Sequence, residues 1–205
     1  VFARNWAKKA NLFVKVEYIS NGVDTNKFTF SGKAIKTKLK KPIVLCAGAL
    51  TKTKRIDLAI RAVAKLKNVD LLVCGDGDLR SEIYDLGSKI LRDRFQLIKV
   101  SYEDMPKVYR VANVFTLPSE SYYSFENVLV EAMATNLPVV ANDDPIRREI
   151  VGDAGILVNP TDTNAYAQAL KKALDTDWGN KPQKQARKFD WDKIALEYEK
   201  IIRSL

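Results

Sequence analysis

The chain has no histidine among its 205 residues and only two cysteines. Without imidazole there is no histidine general base, no His–Ser dyad and no histidine metal ligand. Any chemistry must therefore rest on carboxylates, hydroxyls, lysines, arginines and backbone dipoles. Both cysteines lie inside apolar runs, Cys46 in IVLCAG and Cys74 in LLVCG. This excludes a disulfide scaffold and reads as buried thiols in a reducing compartment. Long apolar stretches are missing too: the longest charge-free run is Ala132–Asn142, eleven residues, too short to span a bilayer. The opening residues VFARNWAKKANLFV carry neither the uninterrupted apolar core nor the small-residue cleavage site of a signal peptide.

What is present fits a folded domain: 46% hydrophobic and 29% charged residues, in a chain long enough to bury an ample core. Lysine plus arginine number 34 against 25 acids, a formal charge of +9. The excess is concentrated early, with 13 Lys plus Arg and 3 Asp plus Glu in residues 1–60 and five lysines in the run Lys33–Lys41. Such a run usually stays solvated; otherwise it meets an anion such as a lipid head group or a phosphate-bearing substrate. No aromatic residue is interleaved with the lysines and no nucleic-acid motif follows, so no nucleic-acid partner is expected.

Short apolar runs alternate with helical patterns. Strands are expected at Lys15–Ile19, Ile43–Cys46, Asp70–Cys74, Phe95–Lys99, Val114–Leu117, Pro138–Ala141 and Gly155–Val158. Between them, runs such as Ile56, Ala59, Ile60, Val63 and Leu66 recur at helical spacing. Strands that are apolar throughout belong in a sheet covered on both faces, and regular β-α alternation makes that sheet parallel. The expected fold is α/β, a doubly wound, Rossmann-like parallel sheet in one domain, residues 1–205. A hinge at about 178–185 is expected to precede a C-terminal helix at 186–205, with Asp190 as an N-cap. Trp191, Tyr198 and Ile201 share one face of that helix and are expected to pack inward. Ligands of such sheets sit beyond the carboxyl ends of the strands.

Three loops there could carry chemistry. In CAGALTKTKRID, Gly48 follows a strand, and Lys52, Lys54 and Arg55 cluster where the next helix begins. Cations are unfavourable at a helix N-terminus, and a bound anion resolves the conflict. In CGDGDLR, Gly75 and Gly77 permit a tight turn, but Arg80 stands where a dinucleotide fingerprint needs its third glycine. The Asp76-x-Asp78 spacing reads as turn residues rather than as a metal site. In TLPSESYYSFENVLVEAMATNLPVVAND, a helix is expected from about Phe125 to Ala134 with Ser124 as N-cap. Glu131 lies inside it among apolar residues, where a carboxylate is costly to bury unless something donates hydrogen bonds to it. A pair of sugar hydroxyls could do so.

These segments, together with ISNGVDTNKF and EIVGDAGILVNP, resemble the C-terminal, nucleotide-sugar-binding half of group 1 glycosyltransferases, retaining enzymes of the GT-B architecture. The resemblance runs from Ile19 to the last helix. It implies that Glu131 holds the donor's ribose hydroxyls. The family's other glutamate, eight positions earlier, contacts the donor sugar; here that position is Tyr123. Eight helical residues rise about 12 Å, so the two positions serve different ends of one ligand. The family's glycine-bearing turn, whose amides meet the diphosphate, reads Ser124-Phe125-Glu126-Asn127, with Glu126 in the glycine's place. The family's diphosphate-binding Arg-Lys pair matches Ala49 and Lys54, and Arg55 stands as a substitute for the missing arginine.

The resemblance further implies a nucleoside diphosphate sugar as donor, a hexose as the group transferred to an acceptor hydroxyl, and no cofactor or metal. It places the enzyme in polysaccharide or glycolipid biosynthesis, in the cytoplasm or at the cytoplasmic face of a membrane, and leaves room for membrane-surface association of the full-length enzyme. The acceptor site and most catalytic groups are expected in a preceding, N-terminal domain, so this chain alone is expected to be inactive. The alternative is a non-catalytic nucleotide-binding or regulatory module of the same fold. An NAD-dependent oxidoreductase is disfavoured by the incomplete fingerprint.

Overall fold

The computed structural model describes residue 9 and residues 16–121 and 124–204. Among them, six strands form one parallel sheet: β1 (Ile43–Ala47), β2 (Asp70–Cys74), β3 (Phe95–Ile98), β4 (Val114–Leu117), β5 (Val139–Asn142) and β6 (Gly155–Val158). Their spatial order is β3-β2-β1-β4-β5-β6. The register sets Val44 beside Leu71 on one side and Val114 on the other. Every residue of β1, β2, β4 and β5 is buried, as expected of strands covered on both faces by crossover helices.

From residue 43 onward the described α-helices are α1 (Ile56–Ala64), α2 (Arg80–Leu91), α3 (Met105–Tyr109), α4 (Asn127–Ala134), α5 (Pro145–Val151), α6 (Thr163–Asp175), α7 (Lys181–Ala186) and α8 (Trp191–Ile202). The 3.6-residue pattern of α1 buries Ile56, Ala59, Ile60 and Val63, and each large aliphatic side chain taken from water contributes roughly 1.5–3 kcal/mol. α6 starts where the Asp162 carboxylate accepts from the amides of Asn164 and Ala165, which satisfies donors that a helix start leaves unpaired. In the core, the Tyr166 hydroxyl meets Thr116 Oγ1 at 2.5 Å.

Several expectations change. Residues 16–19 have no strand, and Lys15 lies outside the described residues. α4 begins at Asn127 instead of Phe125, and its N-cap is Glu126 rather than Ser124. The reason is local: Glu126 takes φ 61° and ψ 68°, a left-handed conformation that breaks the chain direction just before the helix. The segment 178–185 holds most of α7 (Lys181–Ala186), whose Gln185 donates to the carbonyls of Glu149 and Ile150.

The C-terminal helix, expected from 186, begins only at Trp191, after Ala186 closes α7 and Arg187–Phe189 forms a 3-10 turn; Asp190 is its N-cap as expected, its side chain accepting from the Asp192 amide. Its inward face is not the expected one. Ile194 is the residue of α8 that is fully buried, while Trp191 is 49% and Tyr198 50% exposed. The cause is that α8 meets the body chiefly through its first turn. Val23 donates to the Phe189 carbonyl and Trp191 donates back to Val23, and the Trp191 ring lies against Gly22. Along the later turns Leu196 and Ile202 are exposed.

Candidate functional site

The strand order reverses between β1 and β4, and the crevice beyond their carboxyl ends is where such sheets bind ligands. The loops after β1 and β2 are fastened there: Gly48 donates to the Cys74 carbonyl, Leu50 to that of Asp76, and Leu79 to that of Leu50. Gly75 makes this approach possible, because a Cβ there would lie 1.9 Å from the Gly48 carbonyl oxygen. Between these loops and α4 opens a cavity of about 330 Å³, whose lining includes Gly48, Ala49, Gly75, Tyr102, Met105 and Glu131. At one rim Lys99 pairs with Asp76 at 2.6 Å and holds the Asp76 carboxyl below its usual range.

Glu131 enters this cavity from α4 and is only 5% exposed. The Tyr109 hydroxyl donates to its Oε2 at 2.7 Å, which supplies part of what a buried carboxylate needs. Burial raises the Glu131 pKa; the Tyr109 bond opposes that shift. Tyr109 is itself fully buried, and its own pKa is pushed well up by burial and then by the Glu131 charge. Cys74, at the end of β2, lines the same cavity with its thiol pKa raised by burial to about 11, so it is protonated at neutral pH.

A second cluster lies at the ends of β4 and β5. Lys54 Nζ sits 2.7 and 2.6 Å from the two carboxylate oxygens of Glu126. Arg147, entirely buried, donates from Nη2 to Glu126 at 3.2 Å and to Ser119 Oγ at 2.7 Å. Its Nη1 reaches Asp144 at 2.9 Å. Lys54, Arg147, Glu126 and Asp144 thus form a buried set of two cations and two anions. Arg55, in a left-handed conformation with φ 49°, donates from Nε and Nη2 to the carbonyls of Pro118 and Ser119. It thereby ties the β1 loop to the β4 loop.

The site residues expected from sequence therefore separate into groups. Gly48 and Glu131 line one cavity. Lys54 and Glu126 meet each other beside it, so in this structure the Lys54 ammonium faces one of the chain's own carboxylates. Phe125 turns to the Phe189 ring, centroids 5.6 Å apart. Asn127 is exposed, and its Oδ1 accepts from Asn21 at 3.2 Å. Ser124 is half-buried, and Tyr123 lies outside the described residues. Sequence reasoning did not find Tyr109, Arg147, Asp144 or Ser119. For Asp144 a signal existed: Asp-Pro is a helix-start spelling, and the Asp144 carboxylate indeed accepts from the amides of Ile146 and Arg147.

A family profile described as "Glycosyl transferases group 1" matches residues 41–176. The chain belongs to the group 1 glycosyltransferases. Among relatives of this glycosyltransferase chain is the Campylobacter jejuni N-acetylgalactosamine-N,N'-diacetylbacillosaminyl-diphospho-undecaprenol 4-alpha-N-acetylgalactosaminyltransferase. It is 31% identical over 198 residues, which cover 92% of this chain and 53% of that protein. The Mycolicibacterium smegmatis phosphatidyl-myo-inositol mannosyltransferase is 30% identical, over 99% of this chain and 55% of that protein. The chain thus spans about half the length of these relatives. Among solved structures, Anabaena Alr3699/HepE in complex with UDP and glucose superposes with a TM-score of 0.77 at 21% identity, over 92% of this chain and 57% of that one. That likeness bears out the Rossmann-like α/β fold.

Proposed function

We propose that this glycosyltransferase chain is the C-terminal, donor-binding domain of a retaining enzyme of the GT-B architecture, which moves a hexose from a nucleoside diphosphate sugar to an acceptor hydroxyl. The observation that carries the reading is Glu131: a buried carboxylate, steadied on one oxygen by Tyr109, in a cavity at the point where the strand order reverses. Its remaining capacity as an acceptor suits a ribose hydroxyl, which is a donor. The glycine-walled loops after β1 and β2 let a ligand approach the backbone closely, and the start of α4 offers amides and dipole to phosphate oxygens. Cations and dipoles fixed in advance would stabilise the leaving diphosphate electrostatically, without a metal.

The acceptor side of the cleft belongs, in this reading, to the part of the protein that the relatives' additional length represents. The two relatives are named for lipid-bearing acceptors, which supports an acceptor in polysaccharide or glycolipid synthesis and work at a cytoplasmic membrane surface. Among the described residues no helix is long and apolar enough to cross a membrane. Calorimetry with a panel of nucleosides and nucleotides tests the donor reading. Binding that drops about tenfold in Glu131→Ala supports it, since a charged hydrogen bond contributes about 1.5–3 kcal/mol. Unchanged affinity in a folded variant overturns it.

A second reading, a nucleotide-binding module without catalysis, is favoured by one specific feature: Glu126 places a carboxylate on Lys54 where the donor's diphosphate would need a cation. Turnover of nucleotide sugar by the full-length protein decides between the two.

A further inference from the structure

Resting on the donor-site reading, we infer that the Glu126 carboxylate occupies the seat of the donor's diphosphate and sets how tightly this chain holds that group. Three observations meet here. First, the carboxylate is bound as an anionic ligand would be. Both oxygens lie on Lys54 Nζ, at 2.7 and 2.6 Å, and one also lies 3.2 Å from Arg147 Nη2. A carboxylate and a phosphate oxygen are interchangeable in such a setting, since each accepts charge-assisted hydrogen bonds from the same donors.

Second, the seat adjoins the nucleotide cavity. Glu126 is the N-cap of α4, and Val128 and Glu131 of the same helix line that cavity. A ligand with its ribose on Glu131 would send its phosphates toward the helix start, where Glu126 stands.

Third, the residue is held there at a cost. Its φ of 61° and ψ of 68° are uncommon for a residue that carries a long side chain, and such conformations persist only when their surroundings enforce them. The two cations of the cluster are balanced by Glu126 and Asp144, so the set itself offers a diphosphate no surplus positive charge, and the neighbouring Arg55 guanidinium is turned to the carbonyls of Pro118 and Ser119. A diphosphate must displace Glu126 from Lys54 or remain outside the seat. In the chain as it stands, the second phosphate therefore adds little affinity.

A purely structural role, with Glu126 serving only to satisfy the buried Arg147, predicts differently, so the test separates the two. Glu126→Gln removes the charge; Glu126→Gly also removes the side chain and relieves the left-handed backbone, which gives a second variant to test if the glutamine one does not fold. Calorimetry would use uridine, UMP and UDP, and the matching guanosine series, on the 205-residue chain and both variants. In the unaltered chain, affinity should rise less than about threefold from mono- to diphosphate. In each folded variant it should rise about tenfold or more, with nucleoside affinity unchanged, and UDP or GDP should raise the melting temperature further than in the unaltered chain. Adding Lys54→Met to Glu126→Gly should abolish the gain. Nucleoside binding with unchanged or weaker diphosphate affinity in the variants overturns this inference and leaves the donor site standing. Absence of any nucleoside or nucleotide binding by all forms overturns the donor-site reading and this inference with it.

Discussion

In the donor-site reading Glu131 is a binding group; by its burial it is also a stability liability. Burial raises its pKa from the ordinary 4.5, so the folded chain holds that proton more tightly than the unfolded chain. The contribution to stability is complete below the unfolded value and is lost as pH rises through the folded one, because the ionised carboxylate then sits buried. Glu131→Gln should therefore raise the melting temperature at pH 7 and leave it nearly unchanged at pH 4, as differential scanning calorimetry would show. The same variant should bind nucleotide about tenfold more weakly at pH 7, since a neutral amide is a poorer acceptor for ribose hydroxyls. Ribose prefers the ionised form, so nucleotide affinity of the unaltered chain should fall as pH drops toward 4.5. Subtracting the Glu131→Gln profile removes titration of the nucleotide's own phosphate. Ala49 offers the opposite change: it lines the cavity without a charge, and Ala49→Arg should tighten diphosphate binding severalfold at low salt, with the gain shrinking as salt screens it. No change on titration would mean that the phosphates lie elsewhere.

The helices separate what could be read in sequence from what could not. Uninterrupted apolar runs predict the six strands of the sheet, though the run expected at Lys15–Ile19 has no strand at 16–19, and local periodicity predicts α1, because its apolar face does face the core. α8 misled for the same physical reason: an apolar stripe says that a face is suited to burial, not that this chain covers it. Ile194 is 1% exposed, so Ile194→Ala should cost about 2–5 kcal/mol in a denaturant titration. Tyr198 is half exposed, and Tyr198→Ala should cost under about 1 kcal/mol in the same titration. Equal losses would place α8 differently. Helix α5 shows a second limit. Arg147 and Arg148 are adjacent in sequence, yet Arg147 is wholly buried while Arg148 pairs with Asp143 near the surface. Nothing local distinguishes them, because the difference comes from Glu126 and Ser119 arriving from another part of the chain. Arg147→Ala leaves two buried carboxylates with one fewer cation and should destabilise by about 3–5 kcal/mol. Glu131 was legible because a carboxylate in an apolar helical run is conspicuous by itself; its partner Tyr109 was not, since a tyrosine in a helix is equally at home in a core.

At the scale of the whole molecule, the donor-domain reading makes the chain one wall of a site. The β1 and β2 loops, α4 and the Lys54–Glu126–Arg147–Asp144 set all rise from the carboxyl ends of one sheet, and the cavity of about 330 Å³ among them is large enough for part of a nucleotide but open to solvent. Binding needs only this wall. Transfer needs more: the acceptor oxygen must be held in line with the anomeric carbon, and water must be kept from the same position. The described residues at the crevice offer carboxylates that are already engaged, Glu131 by Tyr109 and Glu126 by Lys54 and Arg147. The chain has no histidine to act in their place. The 205-residue chain should therefore bind a nucleotide weakly, with Kd in the high micromolar to millimolar range, about −4 to −6 kcal/mol. Given nucleotide sugars and acceptor alcohols, it should yield no glycosylated product detectable by mass spectrometry, whereas the full-length protein should yield one. Efficient transfer by the chain alone would show that this single wall holds a complete catalytic centre and that the acceptor is bound here.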